Sequence, residues 1–430
     1  MPVTLAHDAP DFEDRFAALM HAKRETAEDV DAAAAAIIAE VRRDGDAALI
    51  RLTERYDRLR LTPATLAFTE AEIDAACAAV PAGERAALDR AAARIRAFHE
   101  RQRPADAFWT DGDGVSLGWR WGPVDAAGLY VPGGTASYPS SVLMNAIPAQ
   151  VAGVGRVVMC APTPDGAVNP LVLYAARLAG VSTVWRIGGA QAVAAMAYGT
   201  ETIRPVDKIT GPGNAWVAAA KRRVFGHVGI DSIAGPSEVV VVADAAQNPA
   251  WLAADLMAQA EHDGSAQSIL VTDDAGLAAE VGRAVERLLQ RLPRAAIAGA
   301  SWAAHGALVV ARDPEHAAAL VNRLAPEHLQ LCLADPTGFA ARVRHAGAIF
   351  LGPHTPEALG DYVAGPNHVL PTARSARFAS GLSVLDFMKR TTLVGASAQG
   401  LAAVGPAAAT LAASEGLDAH GLSVTLRLAG

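Results

Sequence analysis

Residues 238–272, EVVVVADAAQNPAWLAADLMAQAEHDGSAQSILVT, decide how this chain folds. The stretch opens on EVVVVA, apolar at consecutive positions after the first, and closes on SILVT from Ser268. A strand that is apolar on both alternating sets of residues is buried on both faces. Between the two runs, a helical stretch begins near Pro249 and ends at QAEHD. Strand, helix and strand, with both strands covered, form a unit of a parallel sheet packed under helices.

The same alternation recurs on either side. GLYV from Gly128, RVVMCA from Arg156 and STVWRI from Ser182 precede it; ALVVA from Ala307, LQLCL from Leu329 and AIFLG from Ala348 follow. Eight such units are too many for one open sheet of this kind. The expected fold is therefore α/β, with two doubly wound parallel-sheet (Rossmann-like) domains. A single eight-stranded barrel is the rival, disfavoured by a long helical preface and tail. In the preface, Thr26 with Asp29 is a weak capping box ahead of Val30, Ala34, Ile37 and Val41, and Gly45 punctuates. Thr69 with Glu72 is a better one, ahead of Ile73 and Val80.

Composition narrows the function classes. Hydrophobic residues at 51% and charged residues at 19% exclude a disordered or coiled-coil chain. Lys and Arg number 37 against 45 Asp and Glu, and a net charge of −8 argues against nucleic-acid or anionic-membrane partners. Cys77, Cys160 and Cys332 are too few and scattered for a disulfide framework or a thiolate zinc site, which reads as a cytoplasmic compartment. No signal-peptide pattern opens the chain. Thr391 to Ser414 are uncharged but only mildly apolar, so two short helices, the second opened by Pro406, are expected rather than a membrane span.

Four glycine-containing loops gather near strand ends: Gly133-Gly134-Thr135, Gly188-Gly189-Ala190-Gln191, Gly211-Pro212-Gly213-Asn214 and Gly235-Pro236-Ser237. Glycine lets backbone N–H groups approach a ligand, and open α/β sheets bind ligands beyond the carboxyl ends of their strands. No GxGxxG fingerprint and no Walker A sequence is present, so motif logic alone does not establish a nucleotide.

Nine of the twelve histidines follow Arg223. Gln259 and His262 are spaced to share one helix face. Glu327 and His328 adjoin just before a strand. Asp361, Asn367, His368, Arg374 and Arg377 crowd one polar segment, and Glu415 and His420 lie near the terminus. Cys332, the cysteine nearest to them in sequence, sits inside the apolar run LQLCL and reads as core, so a metal here would have oxygen and nitrogen ligands, consistent with zinc or manganese in an open site.

The runs GLYVPGGTASYPSSVLMNAIPA from Gly128, GGAQA, VDKITGPGN, AGPSEV, QAEHD, APEHL, GDYVAGPNHVLPTARSARFASGLSV and EGLDAH resemble the histidinol dehydrogenase family, in that family's order and spacing. The resemblance is close from Gly128 to His420 and looser over the helical preface. It implies a zinc-dependent, NAD-linked oxidation of L-histidinol through L-histidinal to L-histidine. It implies one Zn2+ per subunit on Gln259, His262, Asp361 and His420, and NAD contacts at Tyr130, Gln191 and Asn214. Substrate contacts are implied at Ser237, His328 and Glu415 together with the zinc ligands, and Glu327 and His328 form the catalytic pair. It further implies a homodimer whose tail completes the neighbouring site. On this reading residues 1–24 form a helical arm packing with the tail. Residues 25–127 and 237–381 make the first domain, 128–236 the NAD-side domain, and 382–430 the exchanged tail. The rival is a relative on the same scaffold that oxidises another polar alcohol.

Overall fold

The quoted stretch forms strand Glu238–Ala243, helix Pro249–Ala260 and strand Gln267–Thr272, with every residue of both strands buried. Asn248 caps the helix, its side-chain oxygen accepting the Ala250 N–H at 2.9 Å, and Pro249 occupies the first turn, where no N–H is needed. The two strands pair in parallel from Gln267 opposite Glu238. The fold is that of a computed structural model, which describes residues 2–21, 28–133, 138–233 and 235–430. Thr26 of the weaker capping box, and Gly134 and Thr135 of the first glycine loop, lie outside the described residues.

Two open parallel sheets are present, as expected, and no barrel forms from their described strands. The larger has six strands in the order Val3–Ala6, Ala307–Val310, Gln267–Thr272, Glu238–Ala243, His328–Cys332, Ala348–Leu351. The smaller has five, ordered Thr183–Trp185, Arg156–Cys160, Ala126–Tyr130, Lys208–Thr210, Gly229–Ile230. In the smaller sheet the chain winds outward from Ala126–Tyr130, first to one side and then to the other; the larger does the same from Glu238–Ala243. The switch points therefore lie between Ala126–Tyr130 and Lys208–Thr210 in the smaller sheet, and between Glu238–Ala243 and His328–Cys332 in the larger.

The preface differs from expectation in two ways. Val3–Ala6 is a strand that pairs in parallel with Ala307–Val310, and helix Phe12–His21 buries Phe12, Phe16 and Leu19 in the larger sheet's core. Among the described residues, 2–21 thus serve that sheet's free edge, where the expectation was a helical arm against the tail. Helices Glu28–Asp57, Glu70–Ala79 and Ala82–Glu100 pack on the smaller sheet: Ile37, Val41, Leu49 and Leu52 share a core with Val193 and Ile209, and Ile73 and Ile95 with Leu129. Their apolar faces match the helices of the 128–236 segment, so residues 28–100 do not join 237–381 in one core. Gly45 kinks the first of these helices with φ 54°, and the Thr69–Glu72 box closes with both reciprocal bonds, 2.8 and 3.3 Å.

A third sheet was not legible from the apolar runs. Val115–Pro123 pairs antiparallel with Ala107–Thr110 on one side and Met388–Ala396 on the other. Helices Ala398–Ser414 and Asp418–Ala429 then pack against each other as a hairpin. Pro406 lies inside the first of them rather than at the start of a second. Ser397 already caps that helix, accepting the Gly400 N–H at 3.1 Å, and the interior proline removes one helical hydrogen bond and crowds the carbonyl four residues before it. Among the described residues no helix is long and apolar enough to cross a membrane.

Candidate active site

Helix Pro314–Leu324 ends at Ala325, whose left-handed φ of 45° turns the chain so that Glu327 and His328 open strand His328–Cys332. Both side chains are buried, at 5% and 4% exposure. The Glu238 N–H donates to Glu327 Oε2 at 2.9 Å. Around His328 Nδ1 stand three acceptors: the Glu238 carbonyl at 3.2 Å, Glu357 Oε1 at 3.4 Å and Glu327 Oε2 at 3.5 Å. That surrounding assigns the imidazole proton to Nδ1. Among the described residues Nε2 has no hydrogen-bond partner, and it faces Asp361 Oδ1 at 3.9 Å.

Burial dominates the electrostatics. It pushes His328 down to about 4, against the attraction of Asp361. It holds the Glu357 carboxyl well above the usual carboxylate range, reinforced by Asp361, Glu327 and Asp255. Glu357 is seated by a polar relay: its N–H donates to Gln330 Oε1 at 3.3 Å, and Gln330 Nε2 donates to Asp255 Oδ2 at 2.6 Å.

Gln259 ends helix Pro249–Ala260, and its amide nitrogen lies 3.1 Å from His262 Nδ1. Asp361, in helix Glu357–Tyr362, is held from behind. Its carbonyl lies 2.9 Å from His368 Nδ1, and His368 Nε2 lies 3.2 Å from Ser141 Oγ. Helix Ala82–Glu100 grips the same segment, Arg94 donating to Val363 O at 2.6 Å and Ala364 O at 2.9 Å, while Asn367 meets His99. Ser237 immediately precedes strand Glu238–Ala243, and its carbonyl accepts the Gln267 N–H at 3.0 Å. Glu238 Oε1 accepts the Ala373 N–H at 2.8 Å, which binds the 372–374 turn to this edge.

These groups collect at the amino edge of the larger sheet, opposite to the edge that the glycine loops suggested. The loops after Tyr130, Arg186 and Thr210 do lie at the carboxyl edge, but of the smaller sheet. There the Gly189 N–H donates to the Tyr130 hydroxyl at 3.0 Å, Gln191 sits buried in the first turn of helix Gly189–Tyr198, and Asn214 caps helix Ala215–Val224. A cavity of about 710 Å³, lined by Pro132, Gly133, Pro162, Phe68, Val168 and Leu173, opens beside Tyr130 at that edge. The Ser141–His368 contact places the two edges face to face.

Glu415 and His420 are not brought in. Both are exposed on the tail hairpin, and no hydrogen bond or ion pair links them to this cluster among the described residues. Glu357, Gln330 and Asp255 escaped the sequence reading. Glu357 precedes Asp361 by one helical turn, and that spacing was the available signal.

The donor set suits a cation. Gln259 Oε1, His328 Nε2 and Glu357 Oε2 are buried without a hydrogen-bond partner among the described residues, which is uncommon in a native interior. His328, Glu357 and Asp361 offer donor atoms within 4.8 Å of one another, and none is a thiolate.

Comparison with known proteins agrees. The family model described as histidinol dehydrogenase matches residues 20–428. Histidinol dehydrogenase of Cereibacter sphaeroides is 68% identical over 428 residues, covering 100% of this chain and 99% of the relative. That of Rhodospirillum rubrum is 61% identical over 429 residues, with the same coverage. The crystal structure of histidinol dehydrogenase from Elizabethkingia anophelis superposes with a TM-score of 0.95 at 36% identity, covering 99% of this chain and 98% of that one. The chain belongs to the histidinol dehydrogenase family.

Proposed function

We propose that this NAD-dependent dehydrogenase performs both oxidations of L-histidinol at one zinc-assisted site: alcohol to L-histidinal, then histidinal to L-histidine. The observation that carries the reading is the buried His328, its proton directed to Nδ1 and its Nε2 open toward Asp361. In the first oxidation Nε2 accepts the hydroxyl proton as hydride leaves the carbinol carbon. In the second, Glu327 takes a proton from water as the water oxygen adds to the aldehyde carbon; His328 Nε2 then takes the remaining hydroxyl proton of the hydrate as a second hydride passes to NAD, leaving the carboxylate. One water is consumed and two NAD are reduced per histidinol.

Gln259, His262 and Asp361 would hold the zinc, with His420 of the partner subunit as fourth ligand. When bound, the ion would supply a Lewis-acid anchor for the substrate's neutral amine and imidazole nitrogens, which positions the carbinol carbon. Ser237 and the partner subunit's Glu415 would complete the substrate pocket. Two features support exchange of the tail: His420 and Glu415 lie outside this chain's own cluster, and Leu411, Leu417, Leu422 and Leu426 are exposed on the same hairpin. NAD would lie along the carboxyl edge of the smaller sheet against Tyr130, Gln191 and Asn214, with the adjoining cavity able to receive part of it. Such an enzyme, with three unpaired cysteines, suits the cytoplasm.

Histidinol supplied to the zinc-loaded protein should yield about two NADH per molecule, and a strong chelator should stop the reaction. Release of one NADH with free aldehyde would overturn the two-step assignment.

A further inference from the structure

Lys221 and Asp231 form a buried ion pair with side-chain exposures of 3% and 4%. Both partners also bind one residue, Gly211. Lys221 Nζ donates to the Gly211 carbonyl at 3.0 Å, and Asp231 Oδ2 accepts the Gly211 N–H at 2.8 Å. Gly211 follows the last residue of strand Lys208–Thr210, at the switch point beside Ala126–Tyr130. There it is buried and its peptide groups have passed beyond the strand. Its φ is +117°, and a Cβ on it would stand 2.0 Å from the Tyr130 carbonyl oxygen. The loop that begins here reaches the exposed Asn214, whose side-chain oxygen accepts from Trp216 and Val217 N–H at 3.1 and 3.2 Å.

Burying two charges is costly, several kcal/mol per ion, and replacing such a pair by apolar groups is often neutral or stabilising. Stability is therefore a weak reason for an ion pair here. Orientation is a stronger one, because a lysine and a carboxylate can grip a single peptide from both sides, which no apolar pair can do.

We propose that Lys221 and Asp231 are positioning residues for the dinucleotide. By clamping the Gly211 peptide they set the 211–214 loop against Tyr130 and so aim Asn214 into the crevice. This rests on the assignment of that crevice to NAD. Neither residue touches substrate or reacting atoms.

The test is the double variant Lys221→Met/Asp231→Leu, which removes the clamp together with both buried charges. Its thermal unfolding should fall by a few degrees, because the buried Gly211 N–H and carbonyl lose their partners, but it should remain one cooperative transition. KM for NAD should rise about tenfold or more, while KM for histidinol and bound zinc stay unchanged. Amide exchange of Gly211, Gly213 and Asn214 in the free protein should quicken. Asn214→Ala serves as the reference for the crevice. If it raises the NAD KM and the double variant does not, the clamp is overturned and the NAD assignment stands. If Asn214→Ala leaves the NAD KM unmoved, the crevice is not the dinucleotide's and both readings fall. Should the double variant fold poorly, Asp231→Asn replaces it. Asn retains an acceptor for the Gly211 N–H but loses the charge facing Lys221, so a raised NAD KM with unchanged histidinol KM is again expected. Equal loss in both would overturn the proposal.

Discussion

Glu357 stands 3.4 Å from His328 Nδ1, on the side of the imidazole away from the open Nε2. Its own N–H is tied to Gln330, so the carboxyl is seated on a rigid strand rather than carried on a loop. Replacing it by Leu, which cannot accept a hydrogen bond from Nδ1, should lower kcat about 10- to 100-fold, the usual cost of losing a group that orients a catalytic imidazole. Gln, which keeps an acceptor oxygen, should recover much of that loss. Steady-state rates with histidinol decide the point, and a Leu variant at wild-type rate would remove Glu357 from the mechanism.

His328 and Glu327 should separate when the half-reactions are measured one at a time. His328→Asn is expected to slow histidinol and histidinal oxidation alike, by about 10²- to 10⁴-fold, as loss of a general base does. Glu327→Gln should chiefly slow the histidinal step. Unchanged aldehyde oxidation in that variant would end the water-activating role.

Arg94 acts from a distance. Its two bonds to Val363 and Ala364 lie just beyond Asp361 and join that segment to helix Ala82–Glu100. Arg94→Ala should cost roughly 1 kcal/mol of stability, since the side chain is exposed and its net hydrogen-bond gain is modest. Retained zinc after dialysis should drop and KM for histidinol rise, with KM for NAD unchanged. Equal effects on both KM values would point to general loosening instead.

Asp255 makes native stability depend on pH. Burial lifts its carboxyl from 3.8 to about 6, against the hydrogen bond from Gln330. The folded chain therefore holds this proton more tightly than the unfolded chain. Its contribution is fully present below pH 3.8 and is lost as pH rises through about 6. At 1.36 kcal/mol per pH unit the loss is at most about 3 kcal/mol. Asp255→Asn should flatten the urea-unfolding stability curve between those limits. An unchanged slope would show that the carboxyl titrates as though in water.

Much of the architecture was legible because burial on both faces is written in residue chemistry. EVVVVA and SILVT can only be covered strands, and all eight apolar runs became strands of the two parallel sheets. Lys208–Thr210, Gly229–Ile230 and Val3–Ala6 were not visible, being short and partly polar. The antiparallel strand Val115–Pro123 was hidden for a related reason: its residues are mostly half-buried, so their pattern is weak. Helix Ala398–Ser414 ran through Pro406 because a cap already existed upstream. Glu327, His328, Gln259, His262 and Asp361 stood out as reactive residue types near element ends.

Their arrangement is another matter. Residue chemistry by itself determined that this chain builds covered parallel sheets, keeps its cysteines apart from the candidate ligands and carries a nitrogen-and-oxygen donor set. Only the tertiary structure decided that Glu238 braces His328 across 90 residues of chain, that Glu357 stands behind it, and that the amino edge of one sheet meets the carboxyl edge of the other. Local preference acts over a few residues, whereas the proton position on His328 depends, besides its neighbour Glu327, on acceptors delivered by two distant elements, strand Glu238–Ala243 and helix Glu357–Tyr362.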